Sequence, residues 1–419
     1  MGELMGRFSF IKTYHIILFY LLVISIFFTP DFTISASLPT FQLADFILPF
    51  IALAVLFSFK NIKWNHYYTL LLVFCAIIIL AMAINGRMGV LSDYFEIFKV
   101  IKFGILILFI TQAIKYVKLN QLIKATFILL LIINLIQYLE LFQINDLLIN
   151  WYGYEKEVMG FGRDSLGFPA TKRMFGLMGN PNNNAIIFLF FAIYFFSSEY
   201  GIKKSLFFYL AVFMLFLCQS KIAIIAFIVI FILGINYFPH SKKAILTKSG
   251  IVLLIIAIVF IIDGRYVTDV VKQLFGFLMS DEDKRELFNK VGGMSTRGRL
   301  ESWKLLFEMI IRKPIIGHGP YKEFFYERTL YSENEYILMW WRYGIVGLVA
   351  YVGLLVKPIK MALSIKSNQF AHVIFLFSVV LLITALTNNP LSNRNILTLY
   401  AILLGIFFTF KNQLSNESQ

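Results

Sequence analysis

Charge is scarce in this chain. Only 15% of its 419 residues are Asp, Glu, Lys or Arg, whereas 59% are hydrophobic, and the mean hydropathy is +0.76. Soluble domains carry about 25% charged residues, so a water-soluble globular protein is excluded. Cysteine is scarcer still. Cys75 and Cys218 both lie in apolar runs and read as small hydrophobes, not as a disulfide or a thiolate metal site. The five histidines, His15, His66, His240, His318 and His372, are scattered, and no glycine-rich phosphate loop occurs, so neither a His-based metal site nor a nucleotide cradle is expected. Asp281-Glu282-Asp283 sits beside Lys284 and Arg285 and reads as a solvated ion-pair surface. No polar stretch is long enough for a separate globular unit, so residues 1–419 form one membrane domain.

What the chain does have is apolar runs of about 20 residues, the length that crosses a bilayer as a helix. About twelve are expected by hydropathy, near 14–29, 42–59, 67–84, 96–113, 122–142, 184–198, 205–219, 221–238, 249–262, 334–356, 369–387 and 394–410. The first follows Arg7 and Lys12 and could be mistaken for a signal peptide. Its length and the Pro30-Asp31 that follow it favour a spanning helix. Lysines then recur in alternate loops: Lys60 and Lys63; Lys115, Lys118 and Lys124; Lys203 and Lys204; Lys242, Lys243 and Lys248; Lys357, Lys360 and Lys366; and finally Lys411. This pattern places both termini in the cytoplasm and explains the net charge of +14 without nucleic acid. The fold expected is an all-α polytopic membrane protein with two long outward loops, 143–183 and 263–333, the larger between spans 9 and 10. These loops form the side where chemistry is expected.

Within 296–313, Thr296 is a plausible N-cap, and Leu300, Trp303, Phe307, Ile310 and Ile311 recur at helical spacing before Pro314 ends the run. This reads as a helix lying along the outer membrane surface. Arg297 and Arg299 sit in its first turn, where a guanidinium can grip diphosphate oxygens or simply reach lipid headgroups. In the other loop, Arg173 precedes Gly179-Asn180-Pro181-Asn182 and a span, so free N–H groups at a helix start can seat phosphate, and asparagine can cap the same helix. Lys221 follows Gln219-Ser220 at a tight outward turn, where it adds charge to a site or snorkels. Glu333 and Glu335 flank Asn334 just before a span. Desolvation there suits a general base, and acid at a helix start is also favourable by itself. His318, in Gly317-His318-Gly319, is the one outward histidine.

The order of these motifs resembles the O-antigen polymerase and O-antigen ligase superfamily. The residues that carry it are Arg299 to Trp303, Pro314 to Gly319, Glu333 to Tyr336 and Gly344 to Gly347, with Arg173 to Asn182 upstream. Lys221 stands where many members have arginine, and Glu333-Asn334 where ligases have His-Asn. Arg342-Tyr343-Gly344-Ile345-Val346-Gly347 is similar to polymerases of the Wzy class. The resemblance implies a GT-C-like, metal-independent glycosyltransferase without cofactor in the bacterial inner membrane. Its implied substrates are polyprenyl-pyrophosphate-linked glycans, as donor and as acceptor, within membrane lipid, and a chain-length regulator protein is a candidate partner. In that frame Glu333 is the base, Arg173 and Arg299 stabilise the leaving diphosphate, and Lys221, Asn180, Asn182, Glu335, Arg297 and His318 bind substrate. A ligase or a flippase for the same lipid-linked unit are the alternatives.

Overall fold

The computed structural model describes residues 2–30, 41–58, 64–144, 146–148, 173–198, 202–237, 250, 252, 293–327, 332–365 and 368–417. Among the described residues the chain is helical. In order, the helices are α1 (Gly2–Phe28), α2 (Leu43–Phe57), α3 (His66–Ile84), α4 (Leu91–Ala113), α5 (Leu119–Tyr138), α6 (Pro181–Ser197), α7 (Ile202–Leu217), α8 (Lys221–Tyr237), α9 (Gly293–Arg312), α10 (Lys322–Glu327), α11 (Glu335–Leu363), α12 (Gln369–Thr384) and α13 (Arg394–Glu417). Six of these segments are long and apolar enough to cross a membrane, and five shorter apolar helices accompany them. Together they coincide with eleven of the expected spans. The ninth, near 249–262, lies outside the described residues apart from 250 and 252, as do Asp281-Glu282-Asp283 and, in the loop 263–333, residues 263–292 and 328–331.

Apolar surface faces outward around the bundle. Phe50, Leu56, Phe57, Leu72, Leu129 and Val349 are all exposed, and a soluble protein rarely leaves so much contiguous apolar area in water. The chain is an integral membrane protein by this measure. Inside, α13 packs on α4, α11 on α3 and α12, and α6 on α7 and α12. Asparagines start five of these helices. Asn65, Asn180, Asn334, Asn368 and Asn393 each accept a hydrogen bond from a first-turn N–H, at 2.7 to 3.0 Å, which satisfies a donor the helix itself leaves unpaired. Buried polar contacts join several helices, such as Asn184 to Asn134 at 2.7 Å and Ser378 to Tyr400 at 2.9 Å.

Helix α9 begins at Gly293, three residues before Thr296. Its apolar residues also divide differently from the single stripe read above. Leu306 and Ile310 are buried against Trp341, while Phe307 and Ile311 are exposed. A helix lodged between bundle and lipid has apolar neighbours on both sides, so one-sided spacing is not required of it.

Helix α11 is broken at Gly344 (φ 64°, ψ −170°). The turn Pro314–Gly319 fills the break. The N–H groups of His318 and Gly319 donate to the carbonyls of Trp341 and Arg342 at 2.9 and 2.7 Å, and Ile345 N–H donates to Pro314 O at 2.9 Å. The approach is so close that a Cβ on Gly344 would lie 2.0 Å from Ile315 O, and one on Gly317 would lie 2.6 Å from Arg342 O. Gly344→Ala therefore meets both backbone strain and a backbone clash. It is expected to destabilise the protein by roughly 2–4 kcal/mol, measured as thermal unfolding in detergent. An unchanged midpoint would contradict this account of the turn.

Candidate functional site

A cavity of about 300 Å³ with several charged side chains in its lining lies where α4 and α11 begin. Its walls come from distant parts of the chain: the start of α2, the first half of α4, the short α10, the start of α11, and the turn before α13 with that helix's first residues. Five cations line it, Lys99, Lys102, Lys322, Arg342 and Arg394, against two carboxylates, Asp45 and Glu96. Phe41, Phe95, Phe98 and Phe325 add aromatic surface to the lining.

Glu96, Lys99 and Lys102 lie three residues apart on α4, so they share one face. Charge within a span needs a partner or a cavity, and these have both. Lys102 Nζ lies 2.5 Å from Asp45, whose other oxygen accepts the Gln42 N–H at 2.8 Å and so caps α2. Lys99 Nζ lies 2.9 Å from Glu96. Lys322 and Arg342 approach the other Glu96 oxygen at 3.2 and 3.6 Å.

Helix α10 brings Lys322 in and is pinned at its start. Arg87 donates to Asp93 and, at 3.2 Å, to Glu323, and stacks on Tyr321 at 4.0 Å. Burial opposes the Arg87 charge, but both carboxylates overcome that and raise its pKa. For Lys322 burial wins. It lowers the pKa, Glu96 opposes the shift, and the Lys99 and Arg342 charges add to it.

Arg342 is 8% exposed. Its Nε and the Nη1 of Arg394 are buried without a hydrogen-bond partner among the described residues, as are Asn389 Oδ1 and Thr398 Oγ1. Buried polar groups are nearly always satisfied, and both arginines line a cavity in which cations outnumber carboxylates, an arrangement that suits an anion. Charge-assisted hydrogen bonds from arginine suit a phosphate group. Among the described residues no group of three or more His, Cys, Asp or Glu could hold a metal ion.

None of the site residues expected from the sequence is among those that line this cavity. Glu333 lies in left-handed backbone (φ 42°) between the cavity residue Ser332 and Asn334, the cap of α11. Glu335 is fully engaged inside the bundle, accepting from Tyr351 and Leu391 N–H on one oxygen and from Ser392 on the other, at 2.9 to 3.0 Å. Arg173 is buried and donates to Cys218 O at 3.3 Å and to Asn182 at 3.1 Å. Asn180 caps α6, and the adjacent Asn183 accepts from Asn388, next to the cavity residue Asn389. Lys221 starts α8 after the Gln219-Ser220 turn. His318 stacks on Trp341, and a ring nitrogen meets Met309 O at 3.1 Å. Burial lowers its pKa against that bond, helped by Lys313 and Arg312. Arg297 and Arg299 are on α9, and their side chains lie outside the described residues. Trp303, one turn after Arg299, donates to Ser332 O, which ties α9 to the cavity edge.

Lys99, Lys102, Lys322, Arg342 and Arg394 were not identified from the sequence as site residues. The available signal was the placement of Lys99 and Lys102 inside an apolar span.

Residues 206–352 match the family model described as O-Antigen ligase. The stretch covers about a third of the chain and includes α10, the Pro314–Gly319 turn and the break in α11, and it supports the superfamily resemblance carried by those motifs. No curated protein matches the chain.

Because the Lys322 charge is lost as pH rises through a lowered pKa, anion binding should weaken before an ordinary lysine, with a pKa of about 10.4, would deprotonate. Lys322→Arg keeps its charge and should move that weakening to higher pH, measured by pyrophosphate titration calorimetry. Coincident pH profiles would show that Lys322 does not contact the anion.

Proposed function

We propose that this chain is a glycosyltransferase that polymerises polyprenyl-pyrophosphate-linked oligosaccharide repeat units on the outer side of the bacterial cytoplasmic membrane, with both termini inside. The observation that carries this reading is the cationic cavity with its unused arginine donors. It lies where apolar helices begin, which is where a lipid-linked diphosphate would present its headgroup, and the match to the O-antigen ligase family supports the same class of substrate.

In this reading the donor's diphosphate occupies the cavity against Arg342, Arg394 and the lysines. The acceptor sugar's hydroxyl attacks the anomeric carbon of the donor. The new bond is oxygen to anomeric carbon, and the bond that breaks joins that carbon to the phosphate oxygen. Negative charge gathers on the departing polyprenyl diphosphate, where fixed cations in a dry site stabilise it most. Glu333, at the cavity edge, accepts the hydroxyl proton. Arg299, one turn from Trp303, and Arg173, beside Asn180 and Asn182, extend the cationic field towards the glycan. Arg297, Lys221, Glu335 and His318 hold the surrounding elements or bind substrate, and a chain-length regulator would act from outside this site.

The family description itself names a ligase, which uses the same donor and differs in the acceptor. A deletion strain complemented with Arg342→Gln, Arg394→Gln, Glu333→Gln or Arg299→Ala separates the two, with surface polysaccharide read on a gel. Each variant is expected to lower polymer yield by about 100-fold or more, leaving single repeat units attached. Loss of attachment altogether would make the chain a ligase, and a normal ladder in the Arg342 and Arg394 variants would remove the cavity from the mechanism.

A further inference from the structure

Glu96 is the anion that the cavity's cations already face. It is 6% exposed and lies between the cavity and an adjoining, mainly apolar pocket of about 50 Å³. One oxygen is taken by Lys99 at 2.9 Å, and the other is approached by Lys322 at 3.2 Å and Arg342 at 3.6 Å. The last separation is too long for a hydrogen bond. Two oxygens thus hold three cations incompletely, and Arg342 keeps a buried donor without a partner among the described residues. A permanent structural ion pair would be expected to saturate its guanidinium, as buried ion pairs need good geometry to offset desolvation. Lys322 is also carried by a helix of only six residues, which Arg87 holds through Glu323 and Tyr321.

We propose that Glu96 is a resident counter-anion, a positioning residue that holds Lys322 and Arg342 at the cavity wall and yields both to a bound diphosphate while retaining Lys99. The proposal rests on the diphosphate reading above. It means that the ligand competes with an internal carboxylate. The cations stay ordered and neutralised between turnovers, and the diphosphate product binds less tightly than the cavity's cations alone would dictate, which favours its release.

The test is calorimetric titration of inorganic pyrophosphate into the full-length protein in detergent, with wild type, Glu96→Gln and Glu96→Asp compared at equal ionic strength. Removing a competing charge a few ångströms from the anion should tighten binding by about tenfold in Glu96→Gln. Glu96→Asp keeps the charge and withdraws it by one methylene, so it should tighten binding by about twofold. It carries the test if the Gln variant does not fold. Unchanged or weaker binding in the folded variants would make Glu96 a scaffold and overturn the proposal while leaving the diphosphate site intact. Absence of pyrophosphate binding in wild type and variants alike would overturn both the proposal and the reading of the cavity.

Discussion

A helix in a membrane has no solvent to satisfy its backbone, so any break must find its partners within the protein. Helix α11 breaks at Gly344, and the Pro314–Gly319 turn supplies those partners in both directions, donating to Trp341 and Arg342 and accepting from Ile345. Only glycine fits at Gly344 and Gly317, because each sits against the other segment's backbone. This lock sets where Arg342 enters the cavity. It also fixes Trp341, against which Leu306, Ile310 and Phe324 pack, and through them α9 and α10. The lock lies in the stretch that matches the family model and places two of the five cavity cations, Lys322 and Arg342.

Gathering five cations beside two carboxylates is costly in a largely apolar molecule. Folding alone does not call for it, since apolar side chains at those positions would pack at lower cost. The ion pairs of Lys102 with Asp45 and of Lys99 with Glu96 offset part of that penalty, but Arg342 and Arg394 retain donors directed at neither. A fixed cationic site suits the proposed substrate, whose charge is concentrated in a diphosphate and grows as the bond breaks.

Much of this architecture can be read from the sequence, and the reason differs from element to element. Apolar runs of spanning length locate the helices because the bilayer imposes their length. Gly317 and Gly344 stand out as glycines in motifs 27 residues apart, although nothing in their spacing tells that one turn fills the other helix's break. Glu333 and Asn334 mark a helix start, as the cap at Asn334 bears out. The cavity itself is not readable in this way. Arg394 looks like an ordinary charge at a span's edge, and its convergence with Lys99 and Arg342 depends on packing of α4 against α13 and on the break in α11. Glu335, a plausible site carboxylate by position, is instead held by Tyr351, Leu391 and Ser392, contacts that only the folded chain reveals.

A structure of the protein bound to a short prenyl diphosphate, such as farnesyl diphosphate, would decide whether this cavity is the substrate's seat. The expected result is a diphosphate within hydrogen-bond distance of Arg342 Nε and Arg394 Nη1, with the prenyl chain leading to the lipid-facing surface. A diphosphate bound away from both arginines would contradict the account.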